Sequence, residues 1–182
     1  MPNYRRYYQP GASYFFTVVT HRRQRFLLDE PIRAALRQAI QETRQTWPFN
    51  VEAWVMLPDH LHCIWTLPKD DPNFSLRWSL IKGGVSRRCQ EYQNPKLLSN
   101  SKAVRRESSL WQRRFWEHQL RDEDDFAKHL DYIHYNPVKH GYVSRARDWR
   151  YSTFQRWVSL GLYEPDWGDG LVMEGDFGEL AE

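Results

Sequence analysis

The order in which strand and helix patterns follow one another is the feature that most restricts the fold of this chain. A run of aromatic and β-branched residues at 13–20 predicts a buried strand. Apolar residues at helical spacing after Pro31 predict an amphipathic helix. Two strand-like runs on either side of Pro58-Asp59 predict a tight antiparallel hairpin. The predicted strands are 13–20, 51–57, 60–67 and 110–120, and the predicted helices are 31–46, 75–92 and 122–136.

Strand, helix, two strands, helix, strand and helix is the order of a ferredoxin-like sandwich, an α+β fold with one antiparallel sheet. We expect two helices on one face of the sheet and the last helix near the other face. Residues 1–160 are expected to form this single domain, with a mobile polar loop at 93–109 and an acidic tail at 161–182. Because one fold can serve many functions, the function must be argued from particular residues.

Charge is unevenly distributed along the chain. All 26 Lys and Arg residues precede residue 161, whereas residues 161–182 contain seven acidic side chains. Aromatic residues are interleaved with the arginines, which favours a polyanionic partner through counterion release and base stacking. A basic protein without such a partner fits the charge equally well. The tail is either a flexible solubilising end or a negatively charged mimic that folds over the basic groove.

Composition disfavours several classes of protein. No apolar run approaches the ~20 residues of a membrane span. The N-terminus lacks the apolar segment of a secretory signal. Two cysteines, Cys63 and Cys89, can build neither a disulfide framework nor a four-cysteine zinc site, so we expect a protein of the reducing cytoplasm.

Two histidines on the third predicted strand form the first candidate site. Alternation along a strand places His60 and His62 on one face, and Leu61 and Cys63 on the other. Because Cys63 faces away, oxygen donors would complete a metal site, and such donors suit Mg²⁺ or Mn²⁺. His-x-His alone is a weak signal, so a structural role for both histidines stays open.

The last predicted helix carries the second candidate. At about 100° per residue, Phe126, Leu130 and Ile133 define its buried stripe. Tyr135 lies opposite this stripe and is expected to face solvent, and Pro137 is expected to end the helix. The polar stripe at the edge of the core consists of Asp125, His129, Tyr132 and Asn136. Its tyrosine is either a boundary residue with its hydroxyl in water or a functional group.

The two candidates together suit attack on a phosphodiester. A metal on two histidines would neutralise the non-bridging oxygens, and a tyrosine hydroxyl would be the nucleophile. A phenol with an unperturbed pKa near 10 is only about 0.1% ionised at neutral pH, so a nearby cation would assist it. Since a phenolate is a good leaving group, a phosphotyrosine conserves the energy of the broken bond and allows a DNA 3′-hydroxyl to reseal it.

Four blocks of the sequence resemble the REP-associated tyrosine transposases, single-tyrosine members of the HUH endonuclease superfamily. The blocks are YRRYY at 4–8 followed by Gly11, AWVMLPDHLHCIWTLP at 53–68, WQRRFWEH at 111–118, and DYIHYNPVKHGYV at 131–143. The resemblance implies a ferredoxin-like enzyme that cleaves and rejoins single-stranded hairpin DNA at repetitive extragenic palindromes. It also implies a bacterial, nucleoid-associated protein that is a monomer or a homodimer.

The resemblance assigns roles to particular residues. His60 and His62 match the pair that holds a divalent metal, Mg²⁺ or Mn²⁺. Asn136 matches the residue that completes this site, and Tyr132 matches the nucleophile that forms a 5′-phosphotyrosine. The N-terminal residues implied to read a short guide tetranucleotide beside the hairpin are Tyr4, Arg5 and Arg6.

Other basic residues either contact phosphate or belong to a solvated surface, and about half of them are expected to touch DNA. They are Arg22, Arg23, Arg77, Lys82, Arg87, Arg113 and Arg114. Glu117, His118 and His129 either support the metal ligands or pack structurally. Two other functions stay open: a nucleic-acid-binding module that breaks no bond, and a metal phosphodiesterase that uses water as its nucleophile.

Overall fold

Four antiparallel strands form the sheet that organises the fold. The computed structural model describes residues 8–105 and 107–170, apart from the side chains of residues 102 and 103. The strands are β1 (Ser13–Val19), β2 (Asn50–Met56), β3 (His60–Thr66) and β4 (Trp116–Gln119), in the sheet order β2-β3-β1-β4. The helices are α1 (Glu30–Thr46), α2 (Phe74–Arg88), α3 (Asn100–Val104), α4 (Glu123–Lys139) and α5 (Phe154–Ser159). Short 3₁₀ turns lie at His21–Arg23, Gln90–Tyr92, Pro95–Leu97 and Ala146–Asp148.

Alternation along the central strands divides the core into two layers. On one face, Phe16 and Trp65 pack against α1 and α2. On the other face, Phe15 and Ile64 pack against α4. Because successive side chains of a strand point to opposite faces, one buried sheet serves both layers. This arrangement confirms the predicted α+β sandwich, with two helices on one face and the last long helix on the other.

Helix α2 continues through Gly83-Gly84, although two glycines weaken a helix on propensity alone. A Cβ added at Gly84 would lie 3.0 Å from the Cβ of Ala39 on α1. The glycine therefore lets the two helices approach closely, and packing outweighs its propensity.

The prediction that Pro137 ends α4 is wrong. The helix continues to Lys139 with Pro137 inside its last turn. It ends at Gly141, which has φ +69°, where the N–H of Gly141 donates to Val138 O and that of Tyr142 to Pro137 O. These two bonds are the Schellman pattern that a left-handed glycine permits.

Tyr135 is also placed differently from its prediction, because it is buried and not solvent-facing. The helical wheel assumed that α4 buries one face only. In the structure, residues that follow α4 cover its outer side, and a Cβ at Gly168 would lie 3.6 Å from the Tyr135 ring. In the described part of the predicted tail, residues 161–170, Tyr163 donates to Asp131 on α4 and Trp167 packs on Phe154.

The segment 93–109 contains a 3₁₀ turn and α3, and its two ends are joined where the Gln93 side chain accepts hydrogen bonds from Ser108 and Ser109. The predicted strand 110–120 is two pieces: a bridge between Trp111 and Thr20, and then β4. Among the helices described here, none has both the length and the apolar composition to cross a bilayer.

Candidate active site

The two histidines of β3 face the helix that carries the candidate nucleophile. His60 and His62 are almost fully buried, and their ring centroids lie 5.0 Å apart. The His62 ring lies 5.3 Å from the ring of Tyr132 on α4. The His60 ring lies 5.3 Å from the ring of His140, just after α4. Strand and helix therefore run past each other with the histidines between them.

Each histidine is oriented through its Nδ1 atom. His60 Nδ1 donates to Asp59 Oδ1 at 2.8 Å, and Arg23 donates to the other oxygen of Asp59 at 3.2 Å. Burial raises the pKa of Asp59, but the hydrogen bonds from His60 and Arg23 outweigh it and lower that pKa to about 2. His62 Nδ1 hydrogen-bonds Thr17 Oγ1 at 2.9 Å. With each Nδ1 atom held in this way, Nε2 is the nitrogen through which each ring would bind a metal.

Tyr132 is held between the sheet and a lysine. It is 2% exposed, and its ring lies 6.1 Å from that of Phe15. Lys139 Nζ donates to the Tyr132 hydroxyl at 3.2 Å and lies 4.8 Å from the ring centroid. The helix is fixed upstream, where the Asp122 side chain caps it by accepting from the Asp125 N–H at 2.8 Å. The nucleophile candidate thus sits on a capped helix with a cation at its oxygen.

Asn136 is fully buried one helical turn after Tyr132 and one before His140. Since Tyr132 lies beside His62 and His140 beside His60, the residue midway between them on α4 faces the histidine pair. The sequence spacing likewise places Tyr132 and Asn136 on one stripe of this helix.

This donor set fits a divalent cation. Two imidazoles of fixed orientation and the amide of Asn136 would supply three ligands, and a phosphate oxygen or water can occupy the remaining positions. Imidazole and amide donors are compatible with the predicted Mg²⁺ or Mn²⁺. The phenol that faces the same pair is placed to attack a phosphate held there.

One of the predicted phosphate contacts needs correction. Arg77 is fully buried, and its hydrogen bonds are made to other groups of the protein. Its guanidinium donates to Pro48 O and Asn73 O and pairs with Asp71 at 3.2 Å. Charge suggested an exposed arginine, but the α2 face that carries it is turned inward. Arg77 therefore ties α2 to the chain that precedes β2.

Two arginines, Arg22 and Arg23, lie in the turn after β1. Arg22 and Arg23 both have positive φ, 53° and 48°, a conformation that non-glycine residues adopt at a cost. The turn directs Arg23 onto Asp59 and leaves Arg22 exposed. Arg114, which precedes β4, is also exposed. The N-terminal candidates lie outside the described residues, namely Tyr4, Arg5 and Arg6.

Three of the basic candidates line a groove of about 920 Å³ between α2 and residues 107–115. Lys82 is half-buried there, with its Nζ 5.5 Å from the Phe115 ring centroid. Arg87 and Arg113 are exposed at its rim. This basic groove lies on the α2 side of the sheet, away from Tyr132.

Lys139 and Asp59 were not identified from the sequence. Lys139 is seven residues after Tyr132, which is within about 20° of it on a helical wheel. Extending the wheel past Pro137 would have shown the pair. Asp59 was interpreted only as a turn residue, because its link to His60 depends on side-chain geometry.

Comparison with known proteins places this geometry in context. A family model described as "Transposase IS200 like" matches residues 9–136. A REP-associated tyrosine transposase of Escherichia coli K12 is 44% identical over 179 residues, 98% of each chain. A putative REP-associated tyrosine transposase of Haemophilus influenzae is 42% identical over 182 residues, 97% of this chain and 99% of the relative. A solved structure of a REP-associated tyrosine transposase bound to a REP hairpin has a TM-score of 0.83 and 43% identity, covering 100% of this chain and 99% of the other.

Proposed function

The chain belongs to the REP-associated tyrosine transposases, within the IS200-like transposase family, and from that premise we propose that it cleaves and rejoins single-stranded hairpin DNA through Tyr132. The observation that carries the proposal is the position of Tyr132, which faces His62 while Lys139 donates to its hydroxyl. A buried phenol beside two oriented imidazoles and a cation is arranged for phosphoryl transfer.

His60, His62 and Asn136 would hold the divalent metal. When bound, that ion neutralises charge on the non-bridging phosphate oxygens and so favours attack at phosphorus. The Nδ1 contacts fix the orientation of both imidazole rings.

The Tyr132 oxygen forms a bond to phosphorus, and the bond from phosphorus to the DNA 3′-oxygen breaks. The proton lost by the phenol is balanced by the proton gained by the departing 3′-oxygen. Lys139 stabilises the negative charge that develops on the phenol oxygen as its proton leaves. The product is a 5′-phosphotyrosine and a free 3′-hydroxyl, and attack by that hydroxyl reverses the step and reseals the strand.

The substrate we propose is a hairpin of the REP type, because the related solved structure is described as bound to such a hairpin. The basic groove lies on the face of the sheet opposite Tyr132, so we propose that it holds DNA away from the cleaved bond, with Lys82, Arg87 and Arg113 at phosphate and Phe115 available for stacking. Arg22 and Arg114 are further exposed contacts, and the N-terminal residues Tyr4, Arg5 and Arg6 remain part of this proposal.

The test uses labelled hairpin DNA, Mg²⁺ or Mn²⁺, and electrophoresis under denaturing conditions. Wild type is expected to give a covalent protein–DNA adduct, and Tyr132→Phe is expected to give none. Tyr135→Phe, on the same helix, is the matched control and keeps the adduct. Cleavage without any adduct would instead indicate water as nucleophile, and binding without cleavage would indicate a binding module.

A further inference from the structure

We propose that His118, Asp125 and His129 form a second metal site, which binds a transition metal such as Zn²⁺ and fixes α4 against β4. None of the three belongs to the histidine pair of the candidate active site. The inference concerns metal binding by the free protein and not the chemistry at Tyr132, but the ion count in its test rests on the proposed metal at His60 and His62.

The three side chains converge from two elements. His118 lies on β4, whereas Asp125 and His129 are one helical turn apart at the start of α4. One potential ligand atom from each lies within 4.8 Å of the other two. His118 Nε2 is 3.0 Å from Asp125 Oδ2, and His129 Nδ1 is 3.2 Å from Asp125 Oδ1. The two imidazoles are stacked, with centroids 4.7 Å apart.

These distances match a coordination polyhedron. Metal–ligand bonds of about 2.0–2.2 Å place neighbouring ligand atoms roughly 3.0–3.5 Å apart. Asp125 Oδ2 lies within this range of His118 Nε2, and Asp125 Oδ1 lies within it of His129 Nδ1, so an ion that binds both carboxylate oxygens needs the two imidazole nitrogens to close on it. Two imidazoles and a carboxylate prefer Zn²⁺ or Co²⁺ to Mg²⁺.

Burial distinguishes this cluster from an ordinary surface ion pair. Asp125 and His129 are 6% and 4% exposed, while the His118 side chain is 29% exposed. The two buried ligands belong to the helix, and the more exposed one opens the site to solvent. An ion can therefore enter beside His118, and a water can serve as the fourth ligand.

Groups around the site must change partners when the ion binds. His129 Nδ1 now donates to the Asp125 carbonyl at 2.7 Å, so binding requires the tautomer with its proton on Nε2. His118 likewise carries its proton on Nδ1 when Nε2 binds the metal. Arg121 donates to Asp125 Oδ2 at 2.8 Å, and its side chain is 73% exposed. When the ion binds, Arg121 can stay hydrogen-bonded to the side of the carboxylate that faces away from the metal, or it can turn into water.

The site would set the position of the candidate nucleophile. His129 precedes Tyr132 by three residues on α4. The ring of Phe15 lies 4.9 Å from that of His129 and 5.4 Å from that of His62. A metal that joins β4 to the first turns of α4 therefore fixes the helix next to the histidine pair.

The experiment titrates full-length, tag-free protein with Co²⁺, follows visible absorption, and then displaces the ion with Zn²⁺. Wild type is expected to bind two ions per chain, and His118→Gln and the His60→Gln/His62→Gln double variant one each. The Co²⁺ that stays bound in the double variant should absorb visible light more strongly than the Co²⁺ that stays bound in His118→Gln, because Co²⁺ of low coordination number absorbs more strongly. His21→Gln, at another histidine, is the matched control and should bind two.

Because His118 is partly exposed, we expect His118→Gln to fold even if His129→Gln does not. Circular dichroism checks that His118→Gln is folded. We expect Co²⁺ at this site to bind at least tenfold more weakly in His118→Gln than in wild type. An unchanged stoichiometry and spectrum in His118→Gln would overturn the proposal. So would a His60→Gln/His62→Gln protein that binds no ion.

Discussion

Replacing Lys139 by Met removes the cation from the Tyr132 hydroxyl while keeping the length of the side chain. Lys139 Nζ donates to that oxygen at 3.2 Å. A hydrogen bond to a charged partner contributes about 1.5–3 kcal/mol when well protected. Lys139 is exposed, so screening by water reduces this to about 1–2 kcal/mol. We therefore expect adduct formation to slow by about 5–30-fold.

The assay is single-turnover adduct formation at saturating hairpin DNA and saturating metal, so that weaker binding does not enter the rate. Lys139→Arg, which keeps the charge, should recover most of the lost rate. Lys128→Met, at an exposed lysine on the same helix, is the matched control and should react like wild type. An unchanged rate in Lys139→Met would refute the reasoning, as would equal losses in Lys139→Met and Lys128→Met.

Further predictions concern the metal ligands, pH and the basic residues. Asp59→Asn should weaken Mn²⁺ binding about 10–100-fold, measured by electron paramagnetic resonance, because His60 loses its anionic partner; unchanged affinity would contradict this. Burial lowers the pKa of His134 to about 3, so the folded state resists its protonation and stability should fall as pH drops below about 6.5. Urea unfolding should show this fall between pH 6.5 and 5 at up to about 1.4 kcal/mol per pH unit, and His134→Gln should reduce it; equal slopes would contradict the assignment. Arg77→Met should destabilise the fold by about 3 kcal/mol, whereas Arg113→Ala should leave stability unchanged and reduce the salt dependence of DNA binding by about one phosphate contact.

Much of the fold could be predicted from periodicity because the sheet has strict inside and outside faces. Alternation placed His60 and His62 together, and the helical wheel placed Tyr132 and Asn136 on the edge that meets them. Both inferences rest on the geometry of a single element, which sequence determines well. The family resemblance then assigned chemistry to residues that the patterns had only grouped.

Predictions failed where a second element decided the outcome. Tyr135 is covered by chain that follows α4, which no wheel of that helix contains. Arg77 is buried because its guanidinium hydrogen-bonds Pro48 O, in the segment that precedes β2. Pro137 does not end α4, and Gly141 supplies the stop four residues later. The contact of Asp59 with His60 required knowledge of side-chain directions at the turn.

The central claim is that Tyr132 becomes bonded to DNA phosphorus. The most direct measurement is mass spectrometry of the adduct after nuclease and protease digestion, which locates the modified residue within the peptide. We predict a phosphate-linked nucleotide on Tyr132 and an unmodified Tyr135. A nucleotide attached to any other residue, or strand cleavage with no modified peptide, would contradict the account.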